Sequence, residues 1–217
     1  MLISHRHKFL TIDIPKTGTK SMRETFNPVV DFAAKGKNQH MDIKKCKKVF
    51  LNRGFIFEDY FKFCIARNPW ERWVSYCSYI FDRASLCKQA IVDGSIEEFP
   101  KIRIRQCKCY DNLLNKADND KKKLMEIILE RMPAQYDFIS NEDGSVTMDM
   151  IATTENLNED IKIFCNKVGI KEDLKISHAN KSSRSEPIKN YYTQKLIDMV
   201  AEKEKWVIEK LGYNFPE

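Results

Sequence analysis

No apolar run in the sequence approaches the roughly 18–20 residues of a bilayer-spanning helix, so an integral membrane protein is not expected. The first residues, Met1-Leu-Ile-Ser-His-Arg-His-Lys8, lack both the apolar stretch and the small-residue cleavage site of a secretory signal. The expectation is a soluble, cytoplasmic protein. There is no C-x-x-C pair. The seven cysteines (Cys46, Cys64, Cys77, Cys87, Cys107, Cys109 and Cys165) are odd in number and scattered. Reduced thiols are therefore expected rather than a disulfide framework. Cys107-Lys-Cys109 is too tightly spaced for the usual zinc ligand pair and His178 is remote, so no metal is expected. Internal repeats and low-complexity linkers are absent. The charge excess is small: 37 basic against 31 acidic residues give +6. That is mild for a nucleic-acid binder of this length and suits an anionic small molecule.

What is present is an ordinary globular balance, 42% hydrophobic and 31% charged over 217 residues. This length fits a single domain spanning 1–217, able to bury about 70% of its unfolded surface without covalent help. Residues 8–14 form a β-branched and aromatic run ending at Pro15, which predicts a buried strand. A loop at 15–19 leads to a helix from Lys20. A second strand is expected at 29–33, a basic helix at 42–51 and a buried strand at 61–66. A helix of about fourteen residues follows at 70–83, with Asn68 as N-cap, Pro69 at N1 and Glu71 at N3. Residues 84–132 are charged and helical in periodicity. Residues 135–140 and 146–152 flank Asn141-Glu-Asp-Gly144, a hairpin signal. Two helices close the chain, one at 156–168 stopped by Gly169 and one long helix at 193–211 stopped by Gly212. Alternating strands and helices in the first third predict an α/β fold: a P-loop-like parallel sheet flanked by helices, then a mostly helical second half with one β-hairpin.

The informative segment is Ile14-Pro-Lys-Thr-Gly-Thr-Lys-Ser-Met22, between a strand and a helix. Such a unit aims backbone N–H groups at whatever lies over the helix N-terminus. Gly18 permits a positive φ, Thr17, Thr19 and Ser21 add hydroxyls, and Lys16 and Lys20 add charge. The same pattern also fits a capped strand–helix turn. It is not a Walker A loop, which requires G-x-x-x-x-G-K-[ST], nor a G-x-G-x-x-G fingerprint. The second segment is Cys64-Ile-Ala-Arg-Asn-Pro-Trp-Glu-Arg-Trp-Val-Ser75. Arg67 falls at the carboxyl end of a strand, where open α/β sheets bind ligands, and Ser75 lies about two turns into the next helix. Together they suit a phosphate; separately each also fits an ion pair or a packing role.

Taken together, these segments resemble the sulfotransferases that use 3′-phosphoadenosine 5′-phosphosulfate (PAPS), most closely the Golgi-type carbohydrate branch and its bacterial relatives. Further stretches agree in order. Gln135-Tyr-Asp-Phe-Ile-Ser140, Asp149 and Glu155-Asn-Leu157 resemble that branch's mid-chain signature. His178-Ala-Asn-Lys-Ser-Ser183 resembles its late cofactor loop, and Tyr191 to Phe215 its terminal helix and tail. The resemblance implies sulfuryl transfer from PAPS, without a metal, to a hydroxyl or less readily an amine, with a saccharide as the acceptor. It implies that Lys16, Thr17, Gly18, Thr19, Lys20 and Ser21 cradle the 5′-phosphosulfate. Arg67 and Ser75 would then hold the 3′-phosphate, and Asn180, Lys181 and Ser182 would close over the nucleotide. Lys20 departs from the Thr or Ser common there. Residues 84–130 match poorly and read as the variable, acceptor-side segment.

The chemistry calls for a cation at the breaking bond and a base for the acceptor. Lys16 suits the first, as in phosphoryl transfer. For the second, His40 follows the second strand near the ligand edge and titrates near neutrality; an exposed loop histidine is the plainer alternative. Glu24, one turn into the loop helix, is a weaker candidate base. The basic runs at 44–48, 103–108 and 121–123 read as solvated helix faces or as a surface for an anionic acceptor. Two other readings use the same residues: a P-loop-type nucleotide kinase or NTPase, and a non-catalytic nucleotide-binding module.

Overall fold

The structure, a computed structural model, describes residues 1–95, 101–172, 174–176 and 186–216, with backbone alone at 37 and 101–103. Its elements begin with β1 (Leu2–Ser4), β2 (Phe9–Ile12), α1 (Thr19–Phe26), β3 (Phe32–Ala33), α2 (Ile43–Asn52) and β4 (Phe61–Ala66). There follow α3 (Pro69–Val92), α4 (Lys101–Lys116), α5 (Lys121–Arg131), α6 (Gln135–Ile139), β5 (Met150–Thr153), α7 (Leu157–Val168), α8 (Gln194–Lys203) and α9 (Lys205–Leu211). The chain divides into two compact units, Met1–Asn68 with Pro133–Ser183, and Pro69–Met132 with Arg184–Glu217.

The first unit is a five-stranded sheet in the order β3-β1-β2-β4-β5. β2, β4 and β5 are parallel, with Phe9 beside Phe61 and Phe63 beside Met150. β1 is antiparallel to both β2 and β3, so it alone reverses direction. The hydrophobic runs explain the central strands: every residue of β2 is buried, as is all of β4 after Phe61. α7 carries Leu157, Ile161, Phe164 and Val168 at helical spacing and turns them onto the sheet. Phe164 meets Phe63 at 4.3 Å, Phe9 at 5.1 Å and Phe26 of α1 at 5.2 Å between ring centroids. Gly169 ends α7 with φ 70°, a conformation that costs glycine little.

The second unit is helical. α3 buries Trp73, Val74, Cys77, Ile80 and Ala84 in a core shared with α4, α5 and α8. Arg72 and Glu204 form a fully buried ion pair at 2.6 Å, and the Trp73 indole donates to the same carboxylate at 3.1 Å. Here the expected long helix at 193–211 breaks into α8 and α9, with Glu204 as the joint. The buried carboxylate meets the guanidinium and indole at this kink, a requirement that apolar periodicity does not record.

Three further expectations are corrected. α3 runs on to Val92 rather than ending at 83, because Ala84, Cys87 and Ala90 continue its buried stripe. The hairpin at 135–152 is not formed: residues 135–139 are α6, a single antiparallel bridge joins Ser140 to Val146, and β5 pairs in parallel with β4. The two-stranded antiparallel hairpin is instead β1–β2. Finally, Cys87 and Cys107 are joined in a disulfide, against the expectation of reduced thiols throughout. They lie twenty residues apart, on α3 and α4, and helix packing brings their Cα atoms to 5.6 Å. No described helix is long and apolar enough to cross a membrane.

Candidate active site

β2, β4 and β5 are parallel, so their carboxyl ends share one sheet edge, where open α/β sheets present ligand-binding loops. β3 points the same way, since both it and β2 oppose β1. Four connections therefore leave this edge: residues 13–18, 34–42, 67–68 and 154–156.

The first is the loop singled out in the sequence. Lys16 and Gly18 are both left-handed, at φ 70° and 80°, and Thr17 between them is not. Alternation of this kind curls successive peptide N–H groups toward one concavity. Left-handed backbone is unusual for lysine and marks a constrained loop. Thr17 is fully buried and its hydroxyl donates to the Ile14 carbonyl at 2.9 Å, locking the turn from inside. Gly18 is the N-cap of α1 and offers no side chain to the first helical N–H groups. A Cβ there would touch only Thr154, at 3.7 Å, so the left-handed φ is what selects glycine. Thr19 opens α1, Ser21 is buried in its first turn, and Lys20 is exposed and pairs with Glu24 at 3.8 Å.

The second connection carries His40, whose Nδ1 lies 2.7 Å from the main-chain oxygen of Asp13. A carbonyl only accepts, so the neutral ring carries its proton on Nδ1 and presents a lone pair on Nε2. His40 keeps exposed surface, yet desolvation by burial holds its pKa below the ordinary value, opposed by Asp13. The carboxylate of Asp13 is fully buried. It accepts from Thr11 Oγ1 at 2.9 Å and Arg23 Nη1 at 2.6 Å, and the Met1 amino group lies 2.8 Å away. Arg23 also donates to the Ala34 carbonyl at 2.6 Å.

At the third, the peptide of Arg67 is held by a primary amide. The Arg67 N–H donates to Gln135 Oε1 and Gln135 Nε2 donates to the Arg67 carbonyl, both at 3.0 Å. The Asn68 N–H donates to Glu155 Oε1 at 3.1 Å, and the Thr154 N–H to the Ala66 carbonyl at 3.0 Å. The ends of β4 and β5 are thus laced together.

Of the residues singled out from sequence, 16–21, His40 and Arg67 all belong to this edge of the first unit. Ser75 belongs to the second unit, half-buried on α3. Asn180, Lys181 and Ser182, with His178, lie outside the described residues. Glu24, the alternative base, is exposed beside Lys20. The sequence reading did not identify Asp13, Arg23 or Gln135 as site-forming. Asp13 did leave a signal: an acid within the otherwise apolar run at 8–14 must be buried with partners. Gln135 left none. Among the described residues, no group of three His, Cys, Asp or Glu side chains could hold a metal ion.

Neither a curated protein nor a solved structure matches the chain. A family model described as "Sulfotransferase family" matches residues 1–211 and so takes in every element of both units, including the loop, His40 and Arg67. On that match, the chain belongs to the sulfotransferase family.

Proposed function

We propose that this sulfotransferase moves a sulfuryl group from PAPS to a hydroxyl of a saccharide acceptor, by in-line transfer. The observation that carries the reading is the 16–18 loop: a left-handed lysine and a left-handed glycine lead directly into the N-terminus of α1 at the carboxyl edge of the sheet. A concavity of peptide N–H groups with a lysine at its rim suits an anion with several oxygens. The donor set fits a 5′-phosphosulfate, with the left-handed φ of Gly18 shaping the turn.

PAPS supplies an activated sulfuryl group whose transfer leaves negative charge on a phosphate oxygen. Lys16 is the residue we assign to neutralise that charge, with the N–H groups of Thr19, Lys20 and Ser21 fixing the anion at the helix terminus. The hydroxyls of Thr19 and Ser21 add donors; Thr17, already bonded to Ile14, shapes the turn instead. Arg67 is assigned to the 3′-phosphate, its backbone held by Gln135. His40 is assigned as the base. Its Nδ1–H is engaged with Asp13, so Nε2 is the atom available to take the proton of the acceptor hydroxyl. Its lowered pKa keeps it in the neutral, competent form at neutral pH.

The test is thermal stabilisation by a panel of ligands: 3′-phosphoadenosine 5′-phosphate (PAP), PAPS, ATP with magnesium, and NAD. Stabilisation by PAP at micromolar concentration, with none by the others beyond PAPS, supports the donor. Lys16→Ala should lower turnover of PAPS by a factor of about 10²–10³ and weaken PAP less. Near-normal turnover in that variant would remove the assigned role.

A further inference from the structure

The segment that carries His40 leaves the sheet at Ala34 and passes through an exposed stretch before reaching the histidine. A short loop of this kind, on the surface, does not by itself hold an imidazole in one orientation. Both of its ends, however, are tied to the buried Asp13, and Met1 braces them as well: its carbonyl accepts from the Ala34 N–H at 3.0 Å and its amino group donates to the Gln39 carbonyl at 2.6 Å. At the root, the Ala34 carbonyl accepts from Arg23 Nη2, while Nη1 of the same guanidinium binds the Asp13 carboxylate, each at 2.6 Å. At the far end, His40 Nδ1 donates to the Asp13 carbonyl at 2.7 Å. Asp13 thus serves the loop twice, through its side chain at one end and its main chain at the other.

We propose that Asp13 and Arg23 are positioning residues for His40: the Arg23 fork binds Asp13 to the root of the 34–40 loop, and the Asp13 carbonyl fixes the ring with Nδ1 protonated and the lone pair on Nε2. This rests on the reading of His40 as the base. Neither residue is assigned contact with substrate. The planar fork is what the geometry requires. Its two parallel N–H groups reach a carboxylate oxygen and a peptide oxygen on different segments, which a single ammonium does not do in a fixed orientation. The charged groups facing the ring are the Asp13 carboxylate, which favours its protonation, and the Met1 amino group and Arg23, which oppose it. Removing Arg23 therefore leaves Asp13 less compensated and moves the titration of His40 upward; a lysine there keeps the charge and spares the titration. The tautomer reports something different, because it depends on the loop bringing Nδ1 to the Asp13 carbonyl.

The experiment is nitrogen-15 NMR of the histidine rings across pH in the full chain, for the wild type, Arg23→Lys and Arg23→Met, with the His40 signal assigned by its loss in His40→Gln. The wild-type neutral ring should be the Nδ1–H tautomer. In both variants the ratio of Nδ1–H to Nε2–H should fall about tenfold, the equivalent of one hydrogen bond. The His40 pKa should rise in Arg23→Met and stay near the wild-type value in Arg23→Lys. A wild-type ring protonated on Nε2 would overturn the proposal with no variant needed, as would folded variants that keep the wild-type ratio. Arg23→Lys preserves the charge beside Asp13, which protects the test against loss of folding in Arg23→Met. PAP binding, measured on the same wild-type sample, separates the two readings. A chain that does not bind PAP contradicts the donor assignment, whereas the tautomer ratio tests the positioning independently.

Discussion

Replacing Gln135 by alanine should remove the clamp on the Arg67 peptide. Gln135 is fully buried and makes two hydrogen bonds of 3.0 Å to the backbone of one residue, accepting from the Arg67 N–H and donating to the Arg67 carbonyl. Each such bond contributes about 0.5–1.5 kcal/mol net, and each buried group left without its partner costs about 1–3 kcal/mol. Since the strand end can relax enough for water to reach part of it, about 3 kcal/mol is expected for the pair. For a chain of this length that corresponds to a melting temperature lower by about 6–12 °C. Gln135→Glu isolates one half of the clamp. It keeps an acceptor for the Arg67 N–H, loses the donor to the Arg67 carbonyl, and buries a carboxylate; it should be no more stable than Gln135→Ala. Urea titration followed by circular dichroism measures the stability, and calorimetric titration with PAP measures the effect on the proposed site. A loss below about 1 kcal/mol in Gln135→Ala would refute the reasoning, since it would mean that the Arg67 peptide is satisfied without the amide.

Arg67→Ala should weaken PAP by about tenfold to a hundredfold, the worth of a charge-assisted hydrogen bond, and adenosine 5′-phosphosulfate much less, because that ligand has no 3′-phosphate; equal losses by calorimetry would make Arg67 structural. His40 has a lowered folded-state pKa, so the unfolded chain binds its proton first as pH falls. Its contribution to stability is therefore complete above the unfolded value of about 6.5 and is lost as pH falls toward the lower folded value. Denaturation midpoints across pH 5–8 for the wild type and His40→Gln should diverge in that sense, and parallel curves would contradict it. Breaking the Cys87–Cys107 disulfide, which closes a loop of twenty residues, should cost about 3 kcal/mol by loop-closure entropy. Guanidinium unfolding of the wild type with and without reductant, beside the double serine variant, would test this; no change on reduction would mean the bond is not formed.

Where the sequence was sufficient, the determinants are local. The run at 61–66 is β4 residue for residue, and the run at 8–14 contains β2, because a strand buried on both faces needs nothing but consecutive apolar side chains. Asp42 caps α2 by accepting from the Lys45 N–H at 2.8 Å, and Gly169 and Gly212 close α7 and α9 in left-handed conformation; these signals act within one helical turn. The anion loop belongs to the same class, since the left-handed turn at Gly18 and the helix start at Thr19 are adjacent in the chain. Other features depend on partners far apart in sequence. Residues 135–139 have strand-like composition but form α6, which brings the Gln135 amide to Arg67, 68 positions earlier. Glu204 breaks a continuous apolar pattern to reach Arg72, 132 positions away, and Cys87 finds Cys107 through the packing of α3 and α4. Asp13 announces itself as an acid in an apolar run, but its link to Arg23 and His40 exists only once β2, α1 and the 34–40 loop are assembled. Periodicity and capping record what a residue does within its own element. A buried polar group must instead find a partner wherever the fold supplies one, and that partner leaves no periodic trace in the chain.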